Sequence, residues 1–225
     1  TIDQLKKIIF EYSDYANERD HIQKIIEQNY WIFGESYHLV SADKELQTSL
    51  PEFEFLTGVT ENDEQIMSAE ERRQRLDVFL YGAHNTYDGA KECVVVELKA
   101  PNIVLSNTVF SQIQRYANTI RKEPRFQSRL RTWKFIAVGK KVSDDVSVKY
   151  KNFLDKGKMG LADVIENIEL YALSWDDIFT SYENRHLPLL EKLQKDLRES
   201  NEVESACEEG SREVVDGITN DIIHK

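Results

Sequence analysis

The sequence predicts an α/β fold, a central mixed sheet flanked by helices, and three observations predict it. Four short apolar runs, at 76–81, 93–100, 133–139 and 168–174, have the length and the β-branched or aromatic content of strands. Segments of helical period separate the later runs, most clearly 108–121. The first two runs are joined instead by a hairpin-like loop, so hairpin and crossover connections coexist in one sheet.

Taken in order, residues 3–29 carry a helical period, with Ile8, Ile9, Tyr12 and Tyr15 and then Ile22, Ile25 and Ile26 at helical spacings. Gly34 marks a stop or turn after "YWIF". Residues 52–57, "EFEFLT", alternate like a strand, and Ser68 three residues before Glu71 has the pattern of a capping box. "LDVFLY" (76–81) and "CVVVELKA" (93–100) flank "GAHNTYDGAK", the hairpin loop. Pro101 cannot donate to a ladder, so the second strand ends there. A helix over 108–121, the strand "WKFIAVG", a helical stretch at 144–156 and the strand "IELYALS" follow. "WDDIFTSYENR" and "LPLLEKLQKDLRES" read as two closing helices. Residues 1–199 form one domain on this reading, with its core at about 15–180. Residues 200–225 form an acidic tail in which "GSREVVDGITNDII" has the pattern of a short docking helix.

The composition, 40% hydrophobic and 31% charged over 225 residues, is that of a globular protein. No apolar run approaches the roughly 18 residues that cross a bilayer, and no signal-peptide pattern opens the chain, so a cytoplasmic protein without a membrane partner is expected. Cys93 and Cys207 suggest neither a disulfide framework nor a thiolate metal site. Thr1 without a preceding methionine points to a fragment or a processed chain, with an N-terminal portion expected ahead of it. The net charge of −11 disfavours nucleic acid only on the sum. Between Arg115 and Lys141 nine basic residues face a single acid, Glu123, a local field able to steer a polyanion.

The stretch "VVVELKAP", 94–101, carries the chemistry. Strand alternation sends Val94, Val96 and Leu98 to one face and Val95, Glu97 and Lys99 to the other. Burying a carboxylate and an ammonium for packing alone is costly, which leaves a surface ion pair or a functional site. Asp77 lies in the preceding strand, on the face opposite Leu76, Val78 and Leu80, so hairpin pairing puts it beside Glu97 and Lys99. Two such carboxylates, with the Leu98 carbonyl as a further oxygen ligand, suit a hard divalent ion, Mg2+ or Mn2+. A lysine beside that ion can orient an attacking water. Other chemistries lack their patterns. "VGKK" is no P-loop, the five histidines are dispersed without HExxH, and no nucleophile elbow is present.

Asp77 followed by Glu97-Leu98-Lys99 resembles the core motif of the PD-(D/E)XK nuclease superfamily, with Leu76 where the nominal pattern has proline. The resemblance implies a restriction-endonuclease-like fold in which Asp77, Glu97 and Lys99 form a metal-dependent active site. Gln112 and Tyr116, in "QIQRY", match the QxxxY motif of its RecB-type members, and their spacing of four puts both on one helical face. Glu18, on the same helical face as Ile22 and Ile25, is the candidate for the extra first-helix metal ligand that many members use. "ERDHIQKIIEQNYWIFG", "VVVELKAP" and "QIQRYA" together resemble the nuclease domain of Shedu-type antiphage defence proteins. That likeness implies a DNA-cutting defence effector, often a homo-oligomer, governed by an N-terminal regulatory region; related domains also follow ATPase-like modules. Arg115, Arg121, Lys122, Arg125, Arg129 and Arg131 are then the expected DNA-binding residues. The competing expectation is a catalytically silent domain of the same fold that holds nucleic acid or a partner, or serves oligomerisation.

Overall fold

A computed structural model describes residues 2–57, 67–83, 91–123, 126 and 131–198. Its central feature is a six-stranded mixed sheet. The strands are β1 (Tyr37–Glu45), β2 (Arg75–Ala83), β3 (Lys91–Leu98), β5 (Arg131–Gly139), β7 (Leu161–Ile165) and β8 (Ile168–Ser174). They lie in the order β1-β2-β3-β5-β8-β7. β2 and β3 pair antiparallel, as their hairpin spacing predicts, whereas β3, β5 and β8 run parallel. Two short strands, β4 (Val104–Leu105) and β6 (Lys141–Val142), form a separate parallel pair.

Among the α-helical segments that accompany the sheet are α1 (Ile2–Phe10), α2 (Lys24–Gln28), α3 (Leu46–Thr57), α4 (Ala69–Arg72), α5 (Asn107–Lys122) and α6 (Asp144–Ser147), and residues 175–198 are helical as well. α5 is the crossover between parallel β3 and β5, and its Phe110, Ile113, Ala117 and Ile120 are buried in the same core as Val95, Phe135 and Ala172. The other face of β3, Val94, Val96 and Leu98, is buried as well. A parallel strand covered on both sides reads as a continuous apolar run, and "CVVVEL" is one. The capping box is formed, with the Ser68 hydroxyl accepting from the Glu71 amide while the Glu71 carboxylate accepts from the Ser68 amide.

Three expectations about elements are corrected. "EFEFLT" is the end of helix α3 and not a strand. Leu46, Ser49 and Phe53 are buried at steps of three and four, and Phe53 packs on Phe79, Phe126 and Trp133 with ring centroids 5.1–5.8 Å apart. That tertiary cluster overrides a local alternation only six residues long. The helical period over 3–29 is broken into α1, a π-helical turn at Glu18–Gln23, and α2, while Tyr12 and Tyr15 stand exposed in the connection. Residues 180–198 are helical through Pro188 without the expected break. Asn184, four residues earlier, is exposed, so water can satisfy the carbonyl that proline leaves unpaired.

The chain divides into two compact units, Thr1–Phe179 and Thr180–Lys225. No helix among the described residues is long and apolar enough to cross a membrane. The tip of the hairpin loop, the acidic tail with its expected docking helix, and Cys207 lie outside the described residues.

Candidate active site

The site forms at the carboxyl end of β3. Antiparallel pairing sets Val78 opposite Val96, and the same register continued by one step sets Asp77 opposite Glu97. Asp77 Oδ2 accepts from the Leu98 amide at 2.7 Å, tying its carboxylate to the end of the neighbouring strand. Lys99 Nζ lies 2.5 Å from Glu97 Oε1, an ion pair with both partners largely buried. The alternation in "VVVELKAP" thus gathers Asp77, Glu97 and Lys99 on the face that α5 covers.

α5 adds two groups to this cluster. The Gln112 amide donates to Glu97 Oε1 at 2.6 Å and to the Tyr116 hydroxyl at 2.9 Å. Tyr116 in turn donates to the Arg75 carbonyl at 2.9 Å, which moors α5 to β2 two residues before Asp77. Glu97 Oε1 therefore receives two donors, while Oε2 is buried and has no hydrogen-bond partner among the described residues. An orphaned carboxylate oxygen in a buried site is costly unless something binds it.

Glu18 reaches the same strand end, its Oε2 accepting from the Ala100 amide at 3.2 Å. Burial pushes the Asp77 carboxyl up to about 8, helped by the negative charges of Glu97 and Glu18. Burial likewise raises Glu97, against the lowering influence of Lys99. Tyr116 is pushed up to about 12, chiefly by burial, so its hydroxyl keeps its proton and remains a donor. Carboxylates crowded so that protonation is favoured in the metal-free site are what a divalent cation relieves. Among the described residues no three His, Cys, Asp or Glu side chains converge as a finished cage for an ion. Magnesium does not need one, because it binds through one or two carboxylates and keeps several waters. The Asp77 and Glu97 pair, with a free Oε2, fits that demand.

No protein-family model matches the chain, and neither does any curated protein. The chain is similar to a repair endonuclease. That crystal structure, from Pyrococcus abyssi, is 18% identical over 71% of this chain and 48% of its own, with a TM-score of 0.37. The chain spans about half the length of the protein it matches.

The basic residues that are continuous in sequence are dispersed in space. Arg115 is exposed one turn beyond Gln112 and flanks the site. Arg121 and Lys122 pair with Glu166 and Glu71, each at 3.4 Å, and Lys134 pairs with Glu92 at 2.6 Å. Arg131 is buried, its guanidinium 5.0 Å from the centre of the Phe53 ring. Arg125 and Arg129 lie outside the described residues. Lys140 and Lys141 are exposed just past the carboxyl end of β5, the strand beside β3, where Lys99 donates its amide to the Val138 carbonyl. Sequence reasoning passed over Gln23, which is buried and donates to the Asp77 carbonyl. The available signal was an amide among the apolar positions of "HIQKII".

Proposed function

We propose that this chain is a divalent-metal-dependent endonuclease domain of the PD-(D/E)XK type that hydrolyses DNA phosphodiester bonds. The observation that carries the reading is the buried, unpartnered Glu97 Oε2 beside Asp77, Lys99 and Gln112. Asp77, Glu97 and the Leu98 carbonyl would hold Mg2+ or Mn2+, with Glu18 as a further oxygen donor. The ion, when bound, neutralises phosphate charge and lowers the pKa of a bound water. Lys99 presents its ammonium at the mouth of the pair and orients the attacking water. Gln112 keeps Glu97 Oε1 occupied, which would leave Oε2 available to an ion, and Tyr116 holds Gln112 in place. Arg115, with Lys140 and Lys141 at the same end of the sheet, would meet the phosphates on either side of the scissile bond.

The Shedu-like stretches support a biological setting in prokaryotic antiphage defence, in the cytoplasm, as a homo-oligomer controlled by an N-terminal region or an ATPase-like module. A second reading draws on one observation. Glu97 is paired with Lys99, as it would be in a catalytically silent scaffold of the same fold.

The test is nucleolysis of supercoiled plasmid and of linear duplexes with Mg2+ or Mn2+, comparing the wild type with Glu97→Ala and Lys99→Ala. Metal-dependent cutting that either substitution abolishes supports the enzyme. DNA binding without cutting, and indifferent to both substitutions, supports the scaffold.

A further inference from the structure

The segment that carries Glu18 is wound in an uncommon way. Its Ile22 amide donates to the Asn17 carbonyl at 3.3 Å, a bond that spans five residues and closes a π-helical turn over Glu18–Gln23. In an α-helix two residues five apart are separated by about 140° around the axis. In a turn closed by bonds from i to i+5 they return to nearly the same side. Glu18 and Gln23 are five apart, and both reach the end of the sheet. Glu18 accepts from the Ala100 amide at 3.2 Å, and the Gln23 amide donates to the Asp77 carbonyl at 2.5 Å.

The turn is held from its other end too. Asp20 donates its amide to Asn17 Oδ1 at 2.6 Å, the Asn17 side-chain amide donates to Asp20 Oδ2 at 2.6 Å, and the Asn17 backbone amide donates to His21 Nδ1 at 3.0 Å. Asn17, Asp20 and His21 are exposed, whereas Ile22 and Gln23 are buried. A buried glutamine that bonds a backbone carbonyl 54 residues away is not there to solvate a surface.

We propose that Gln23 is a positioning residue for the metal site: delivered by the π-helical turn to the same side as Glu18, it fixes the Asp77 backbone and so sets the distance between the Asp77 carboxylate and the oxygens of Glu97 and Glu18. Gln23 touches neither substrate nor ion. It acts through Asp77, and the proposal rests on the metal-dependent reading of that pair. An α-helical turn at the same place would keep one of the two contacts and lose the other.

The experiment measures Mn2+ binding to the full chain by calorimetry, with no DNA present. Gln23→Met keeps the length and the apolar packing but removes the donor. Asn17→Ala, at an exposed position, loosens the turn from its other end and serves where Gln23→Met does not fold. About tenfold weaker Mn2+ binding is expected for Gln23→Met, in the range found for groups that orient metal ligands, and a smaller loss of about threefold for Asn17→Ala. Cleavage by Gln23→Met should recover at saturating Mn2+ with the KM for duplex unchanged, a pattern that a general loss of stability does not produce. Wild-type Mn2+ affinity in whichever variant folds overturns the role of Gln23 and leaves the nuclease reading standing, provided Glu97→Ala has lost the ion. Absence of Mn2+ binding in the wild type overturns the metal-dependent reading and this inference with it.

Discussion

Gln112 and Glu97 are joined by a 2.6 Å hydrogen bond from the amide to Oε1, and that bond decides which oxygen of the carboxylate is left open. With Lys99 on the same oxygen, Oε2 alone is left unsatisfied. Gln112→Ala frees the carboxylate to rotate toward Lys99. Single-turnover cleavage at saturating duplex should fall about 10- to 100-fold, with the midpoint in added Mg2+ moving to higher concentration. An unchanged rate would remove Gln112 from the site.

Asp77 and Glu97 should differ from their neighbours in kind. Asp77→Asn and Glu97→Gln keep shape and packing but halve the charge available to an ion, so cleavage should drop below detection while the fold survives. Circular dichroism and thermal melting check the second half of that statement. Cutting by the doubly substituted protein would place the chemistry elsewhere.

Metal-free stability should depend on pH through Asp77, whose folded carboxyl lies at about 8. An aspartate in the unfolded chain titrates near 3.9. Between those values the folded protein holds a proton that the unfolded chain has released. Stability from this group is therefore greatest below about pH 4 and falls as pH rises toward 8. Chelator-treated protein melted across that range should show the decline, and Asp77→Asn should make it shallower, with the raised Glu97 carboxyl supplying what is left. Equal slopes in the two proteins would contradict the assignment.

Two arginines from one basic stretch should behave oppositely. Arg115→Ala, exposed beside the site, should weaken duplex binding and reduce the dependence of log affinity on log salt by about one unit. Arg131→Ala, buried over Phe53, should lower the melting temperature and leave the salt dependence alone. Fluorescence anisotropy titrations at several salt concentrations separate the two cases.

Phe53→Ala should destabilise the protein by about 3–5 kcal/mol, because it empties the space between Phe79, Phe126 and Trp133. Urea unfolding measures the loss, and the specific activity of the folded fraction should stay near the wild type. A cost below about 1 kcal/mol would mean that α3 is not seated in the core, since core cavities of this size cost more.

The centre of the sheet is legible in local sequence. β2, β3, β5 and β8 are interior strands with buried residues on both faces, and burial on both sides writes a near-continuous apolar run that needs no partner to be recognised. β1 and β7 are the two edges, and neither was anticipated. With one neighbour each and a mixed burial pattern, "YHLVSADKE" and "LADVI" carry no comparable run. The grouping of Asp77, Glu97, Lys99, Gln112 and Tyr116 was legible for a related reason. Glu97 and Lys99 are linked by the period of two along a strand, Gln112 and Tyr116 by the spacing of four along a helix, and Asp77 and Glu97 by a hairpin, whereas the link from Glu97 to Gln112, 15 residues on, was read only through the resemblance of "QIQRY" to a family motif.

Other features depend on contacts between distant segments and have no such local period. The placement of Gln23 depends on a π-helical turn that shifts two side chains onto one side, and nothing in a count of apolar positions distinguishes that turn from an α-helix. The conversion of "EFEFLT" to helix depends on an aromatic cluster that brings Phe53 together with Phe79, Phe126 and Trp133. The basic stretch is split by partners distant in sequence, so Arg131 is buried, Arg121 and Lys122 bind acids, and Arg115 is exposed one turn beyond Gln112. Charge in sequence is a sum over neighbours along the chain, whereas the field at a site is a sum over neighbours in space, and folding is what makes the two differ.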